Sequence, residues 1–132
     1  MGTKKLGQGS SDLSQSDSLR EVRVECRKEY TDACQEKGAD REGIREGTNA
    51  IYRHTGRPAG DRDTWPEEQQ KVIAVTEHFA AGRVKSLPDP QGTQDEANDA
   101  VVEASGEGAR VAKEYIADKE DNSNWWGRLF GS

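Results

Sequence analysis

Apolar residues recur at helical spacing along most of this chain, and polar punctuation divides the recurrence into four stretches. In the first, Leu19, Val22, Cys26, Tyr30 and Ala33 fall three or four residues apart, which is one stripe on an α-helix. Ser18 followed by Glu21 has the form of a capping box, so a helix is expected over about 18–37, ended by Gly38. A second helix is expected over 41–55, between Asp40 as N-cap and Gly56 as terminator, with Pro58 beyond. Ile44, Ile51 and Tyr52 are its bulky positions. Gly43, Gly47 and Ala50 form an adjoining flat strip suited to close approach of another helix, although each glycine costs about 1 kcal/mol of helix propensity against alanine.

The third stretch carries Trp65, Val72, Val75, Thr76 and Phe79 behind a second capping-box pattern, Thr64 with Glu67. It predicts a helix over 65–81, the most hydrophobic element and the expected centre of the core. The fourth, over 94–120, places Ala97, Val101, Ala104, Gly108, Val111 and Tyr115 at alternating spacings of four and three. This seam of small residues reads as a bundle face in preference to a dimer zipper. Ser105-Gly106-Glu107-Gly108 is the expected point of a bend or break.

The remaining segments lack periodicity. Residues 1–17 are rich in Gly, Ser and Gln and read as a disordered tail, with an export leader as the alternative. Residues 57–64 form a loop, and 83–93, with Pro88 and Pro90, a linker. Residues 122–132 are an aromatic C-terminal segment. The fold class expected is all-α: a small bundle of about four helices in one domain over 18–121.

Composition adds that the core is thin. Hydrophobic residues make up 31 % and charged residues 33 % of 132, against about 45–50 % and 25 % in typical domains. A protein partner or a homo-oligomer supplying further buried surface is therefore a natural expectation. Nine acids and three bases lie between Gln94 and Asp121 and account for the whole net charge of −6. That balance argues against non-specific binding to nucleic acid or anionic lipid. No apolar run approaches the roughly 18 residues of a membrane span, and a reducing cytoplasm is the expected compartment. Met1-Gly2 opens like a myristoylation site, but Leu6 stands where Ser or Thr is needed.

The least expected feature is the tip, where Trp125, Trp126, Arg128, Leu129 and Phe130 crowd the chain end. Trp, Phe and Arg dominate interface hot spots, so these five are the candidate partner-binding residues. The competing reading is that the tip folds back to cap the thin core. Membrane anchoring by the Trp pair is disfavoured, because Arg128 stands alone among nearby acids. Arg53, His54, Arg57 and Arg62 follow the second helix around a glycine and are candidate anion-binding residues, though a P-loop's Lys-Ser/Thr arrangement is missing.

No catalytic residue, metal site or cofactor is expected. Asp61 and Asp63 resemble the start of a calcium loop whose later Gly and Glu are missing. Two Cys and two His without close spacing make a poor zinc set. Cys26 and Cys34, on one helix, would stand about 12 Å apart along its axis, too far for a disulfide. Cys26 reads as a small core residue, while Cys34 lies at the stripe's edge with no base to activate it. His78 should face solvent or a neighbouring helix. His54, Asp61 and Cys34 are the best candidates should there be an enzyme.

These features favour a small non-enzymatic protein-binding factor (an adaptor, inhibitor or assembly protein of a bacterium, phage or plasmid) that uses its acidic helix and aromatic tip. The alternative is a small nucleic-acid-binding regulator working through Arg53, Arg57 and Arg62.

Overall fold

The structure, a computed structural model, describes residues 11–90 and 92–118, with side chains from 18 to 117. Four helices follow one another: α1 (Ser11–Glu36), α2 (Arg41–Thr55), α3 (Glu67–Lys85) and α4 (Gln94–Asp118), with a 3-10 turn at Arg62–Thr64 before α3. The fold is all-α, and no strand occurs among the described residues.

Helix ends show which local signals the backbone uses. The Asp40 carboxylate accepts from the Gly43 N–H at 3.0 Å, so α2 starts at its expected cap. That bond, joined by one from the Asn98 amide, holds the Asp40 carboxyl below its usual range. Gly56, at φ 78°, closes α2 by returning its N–H to the Tyr52 carbonyl at 2.8 Å.

The two expected capping boxes do not cap. Helix α1 runs unbroken through Ser18, which is therefore not its N-cap, and reaches back to Ser11 at the end of the N-terminal tail. Residues 1–10 of that tail lie outside the described residues. Thr64 stands two residues too early: Pro66 is still extended, and the Thr64 hydroxyl donates to the Asp61 carbonyl at 2.6 Å within the 3-10 turn. A true box forms instead at the head of α4. There the Glu96 carboxylate accepts from the Thr93 N–H at 2.9 Å, and the Thr93 hydroxyl accepts from the Glu96 N–H at 3.2 Å.

Packing order explains the rest. Arg27 meets Glu77 and Glu29 meets Lys85, so α1 and α3 run parallel. Gly43 lies against Asn98 and Gly47 against Ser105, so α2 and α4 do too. Arg83 faces Glu107 and Phe79 packs on Tyr115, making α3 and α4 antiparallel. The extensive interfaces are α1–α3, α3–α4 and α2–α4, whereas α1 and α2 barely touch. Around the bundle the order is therefore α1, α3, α4, α2, with the fourth side open.

Helix α3 touches two neighbours along its length, and accordingly it is buried almost all round from Ile73 to Glu77, then at Ala80, Ala81 and Val84. It is the centre of the core, but Val72 and Phe79 of the expected stripe are only half-buried. Burial of Val84 also carries the helix past Gly82, its expected end.

Much of the core is alanine: Ala33, Ala74, Ala80, Ala104, Ala109 and Ala112 are each buried. Small residues let the helices approach, which is how a chain poor in bulky residues still closes three interfaces. The seam of α4 serves this bundle, with Val101 and Ala104 buried in the core. No break occurs at 105–108, because those residues are used in packing. Ser105 is fully buried and donates to the Val101 carbonyl at 2.7 Å. Its oxygen lies 2.6 Å from the Tyr30 hydroxyl, which must supply the proton for that second bond.

Candidate functional site

The open side of the bundle is a furrow between α1 and α2. Two depressions lie along it and share Arg27 and Thr48 as lining residues. The larger, about 660 Å³, is walled by Arg23, Arg27 and Lys28 of α1, and by Tyr52, Arg57 and Arg62. The other continues past Ile44, with Arg41 and Arg45 on its rim. A group of cations, with a small positive surplus, thus sits on a chain whose net charge is −6.

Beneath it lies Glu77, whose side chain is 0 % exposed. Sequence reasoning missed this residue. Arg62 grips its carboxylate with both terminal nitrogens, at 3.2 and 2.9 Å, and Arg27 adds a third bond at 3.1 Å. Two guanidinium groups on one carboxylate satisfy the buried charge and leave the trio positive. Each arginine is tied further. Arg27 donates to the Thr48 hydroxyl at 3.0 Å, and Arg62 to the Tyr52 hydroxyl at 2.9 Å. Burial works against the Arg62 charge, but Glu77 outweighs it and raises the Arg62 pKa. The Arg62 guanidinium also lies over the rings of Tyr52 and Trp65, 5.9 and 5.8 Å from their centroids.

Of the four candidate anion-binding residues, two enter this site. The anion that Arg62 holds is the chain's own Glu77. Arg57, exposed, lies 5.5 Å over the Tyr52 ring. Arg53 is exposed and His54 half-buried near the end of α2, and neither lines the furrow. Arg23 of α1 also enters the site. Its side chain is 8 % exposed and ion-pairs with Asp63, while its Nε is buried with no hydrogen-bond partner. Val24, 50 % exposed, is the large hydrophobic side chain most open to solvent among the described residues, and it stands on the furrow wall.

The partner-binding candidates Trp125, Trp126, Arg128, Leu129 and Phe130 lie outside the described residues, as does the question of fold-back. His78 does reach a neighbouring helix, its Nδ1 3.0 Å from the Glu29 carboxylate. Among the described residues, no group of three or more His, Cys, Asp or Glu is placed to hold a metal, and no helix is long and apolar enough to cross a membrane.

Both cysteines are free and buried. Cys34 is fully inside, not at an edge as its place on the stripe suggested. Burial, with Glu29 and Glu77 adding to it, pushes the Cys26 thiol up to about 12; burial pushes Cys34 up to about 11. At a pH of about 8 an aromatic disulfide reagent should therefore label the folded protein at least roughly a hundredfold more slowly than the urea-unfolded chain. Equal rates would show that the thiols are reached without unfolding.

Comparison of the chain with protein-family models, with curated proteins and with solved structures gives no match in any of the three.

Proposed function

We propose that this chain is a small non-enzymatic protein-binding factor, an adaptor, inhibitor or assembly protein of a bacterium, phage or plasmid. The observation that carries the reading is the open α1–α2 side, a furrow that joins an exposed Val24 to a cluster of arginines. An apolar side chain set among charged ones gives a contact face an apolar centre and a polar rim. The outer face of α4 supplies an opposite charge through exposed Asp99, Glu103, Glu107 and Glu114. The aromatic tip would add anchors of the hot-spot type.

The alternative is a nucleic-acid-binding regulator using Arg53, Arg57 and Arg62. It loses ground because Arg62 is spent on Glu77, and phosphate tracking needs cations without internal partners.

The test is capture from native lysate with three baits: the full chain, the chain lacking residues 124–132, and the full chain carrying Val24→Asp with Arg57→Glu. A protein retained by the first and lost from either variant supports the reading. Salt-dependent retention of nucleic acid in its place, or no retained protein at low salt, overturns it.

A further inference from the structure

The furrow has the dimensions and chemistry of a helix site. On α1 its lining runs from Arg23 to Gln35, which at 1.5 Å per residue is about 18 Å, or between three and four helical turns. The other three sides of the bundle are already closed by helix against helix. Along this side the apolar surfaces are Val24, Ile44 and the Tyr52 ring, spread along the furrow and not gathered in one pocket. Arginines flank them on both walls. An occupant must therefore offer apolar side chains at a repeat along its length, with carboxylates to either side, and an amphipathic helix presents that pattern.

Charge favours an acidic peptide over a polynucleotide. Most furrow cations already face an internal carboxylate: Arg23 faces Asp63, Lys28 faces Asp32, Arg45 faces Glu42, and Arg27 and Arg62 share Glu77. The surplus is positive but small, enough for a few side-chain carboxylates and too little to neutralise a run of phosphates. Arg23 also offers a donor that no protein group accepts from. It is nine-tenths buried, it lines the furrow, and its Nε has no acceptor. A buried donor without an acceptor is unfavourable, and an incoming carboxylate would give it one after a small side-chain shift.

We propose that the furrow between α1 and α2 takes an acidic amphipathic helix of a partner protein, which completes the open side of the bundle. This deepens the protein-binding reading and rests on it.

The probe is a synthetic helical peptide of roughly four turns, with Leu along one stripe and Glu on both flanks. A second peptide carries Lys for Glu, and a single-stranded oligonucleotide of similar length serves as third ligand. Binding is followed by fluorescence anisotropy at two salt concentrations. The Glu peptide should bind, more weakly at high salt, and the Lys peptide should not. Val24→Asp with Arg57→Glu should weaken binding by about tenfold or more. Both positions are exposed and outside the Glu77 trio, so the variant should melt like the parent. Arg110→Glu, on the outer face of α4, should leave affinity unchanged. The inference is overturned if the Glu peptide does not bind at low salt, if the furrow variant binds it equally, or if the oligonucleotide binds more tightly at the same residues. It is also overturned if sedimentation shows the parent self-associating and the furrow variant monomeric, because the occupant is then a second copy. A partner captured from lysate that the Glu peptide fails to displace sinks the furrow inference and leaves the protein-binding reading standing. The absence of any captured protein sinks that reading instead.

Discussion

Replacing Glu77 by alanine is expected to destabilise the protein by about 3–5 kcal/mol. The carboxylate has no exposed surface and accepts three bonds from two arginines. Without it, Arg27 and Arg62 stand close together with like charges and nothing between them. Arg62 is the more buried of the two and has the least access to water as a substitute. Glu77→Gln keeps the shape but loses the charge, and should fall between parent and alanine variant. Because the loss comes from stranded charges and not from missing attraction, the triple variant Arg27→Met, Glu77→Leu, Arg62→Met should recover much of it. Urea denaturation, with a check that the slope is unchanged, measures all three. A loss below about 1 kcal/mol for Glu77→Ala would mean that water reaches the site.

The second large effect concerns two glycines on one turn of α4. A Cβ added at Gly108 would sit 2.5 Å from the Ala80 Cα and 2.8 Å from its nitrogen. Those atoms are backbone, so α3 and α4 must separate to admit it. Gly108→Ala is expected to cost about 1–3 kcal/mol even after its gain in helix propensity. Two residues earlier, a Cβ at Gly106 meets only the Ala50 Cβ at 4.0 Å, an ordinary contact. Gly106→Ala should therefore stabilise by about 0.5–1 kcal/mol. Melting curves of the pair read the result directly: shifts of opposite sign support the close approach, and shifts of the same sign refute it.

That contrast marks where sequence reasoning reaches and where it stops. Four helices and most of their ends are written in short-range signals, with Asp40, Gly38 and Gly56 acting where they stand. Two Ser/Thr-x-x-Glu patterns misled, because a capping box forms only where the chain turns, and Ser18 lies inside a helix. Thr93 and Glu96 carry the same pattern and do form the box, where the expected linker meets the expected fourth helix. The α4 glycines look like a break when only their own helix is considered. Their use is visible only once Ala80 and Ala50 are opposite them.

The site was less legible than the fold. Glu77 is four residues from Ile73 and three from Ala80, on one helical face, and a charge in that register is a usable hint. Its partners, though, lie 15 and 50 residues away in sequence. Arg62 was singled out for its charge, but a guanidinium that reaches solvent and one locked onto an internal carboxylate look the same in one dimension. Likewise the Arg23 and Val24 face reads as an ordinary solvated surface until the gap beside α2 is seen.

The circular order α1, α3, α4, α2 also governs how the chain can reach its native state. In most up-and-down bundles consecutive helices zip into hairpins, so the early part of the chain finds its partners locally. Here α1 must wait for α3, and α2 for α4, with only α3 and α4 forming an extensive interface between sequence neighbours. A nascent chain leaving the ribosome thus carries α1 with little to bury until α3 emerges, and α2 with little to bury until α4 does. During that interval Tyr30 and Ile51 stay open to chaperones and to other chains, and the fold closes from its C-terminal half backwards.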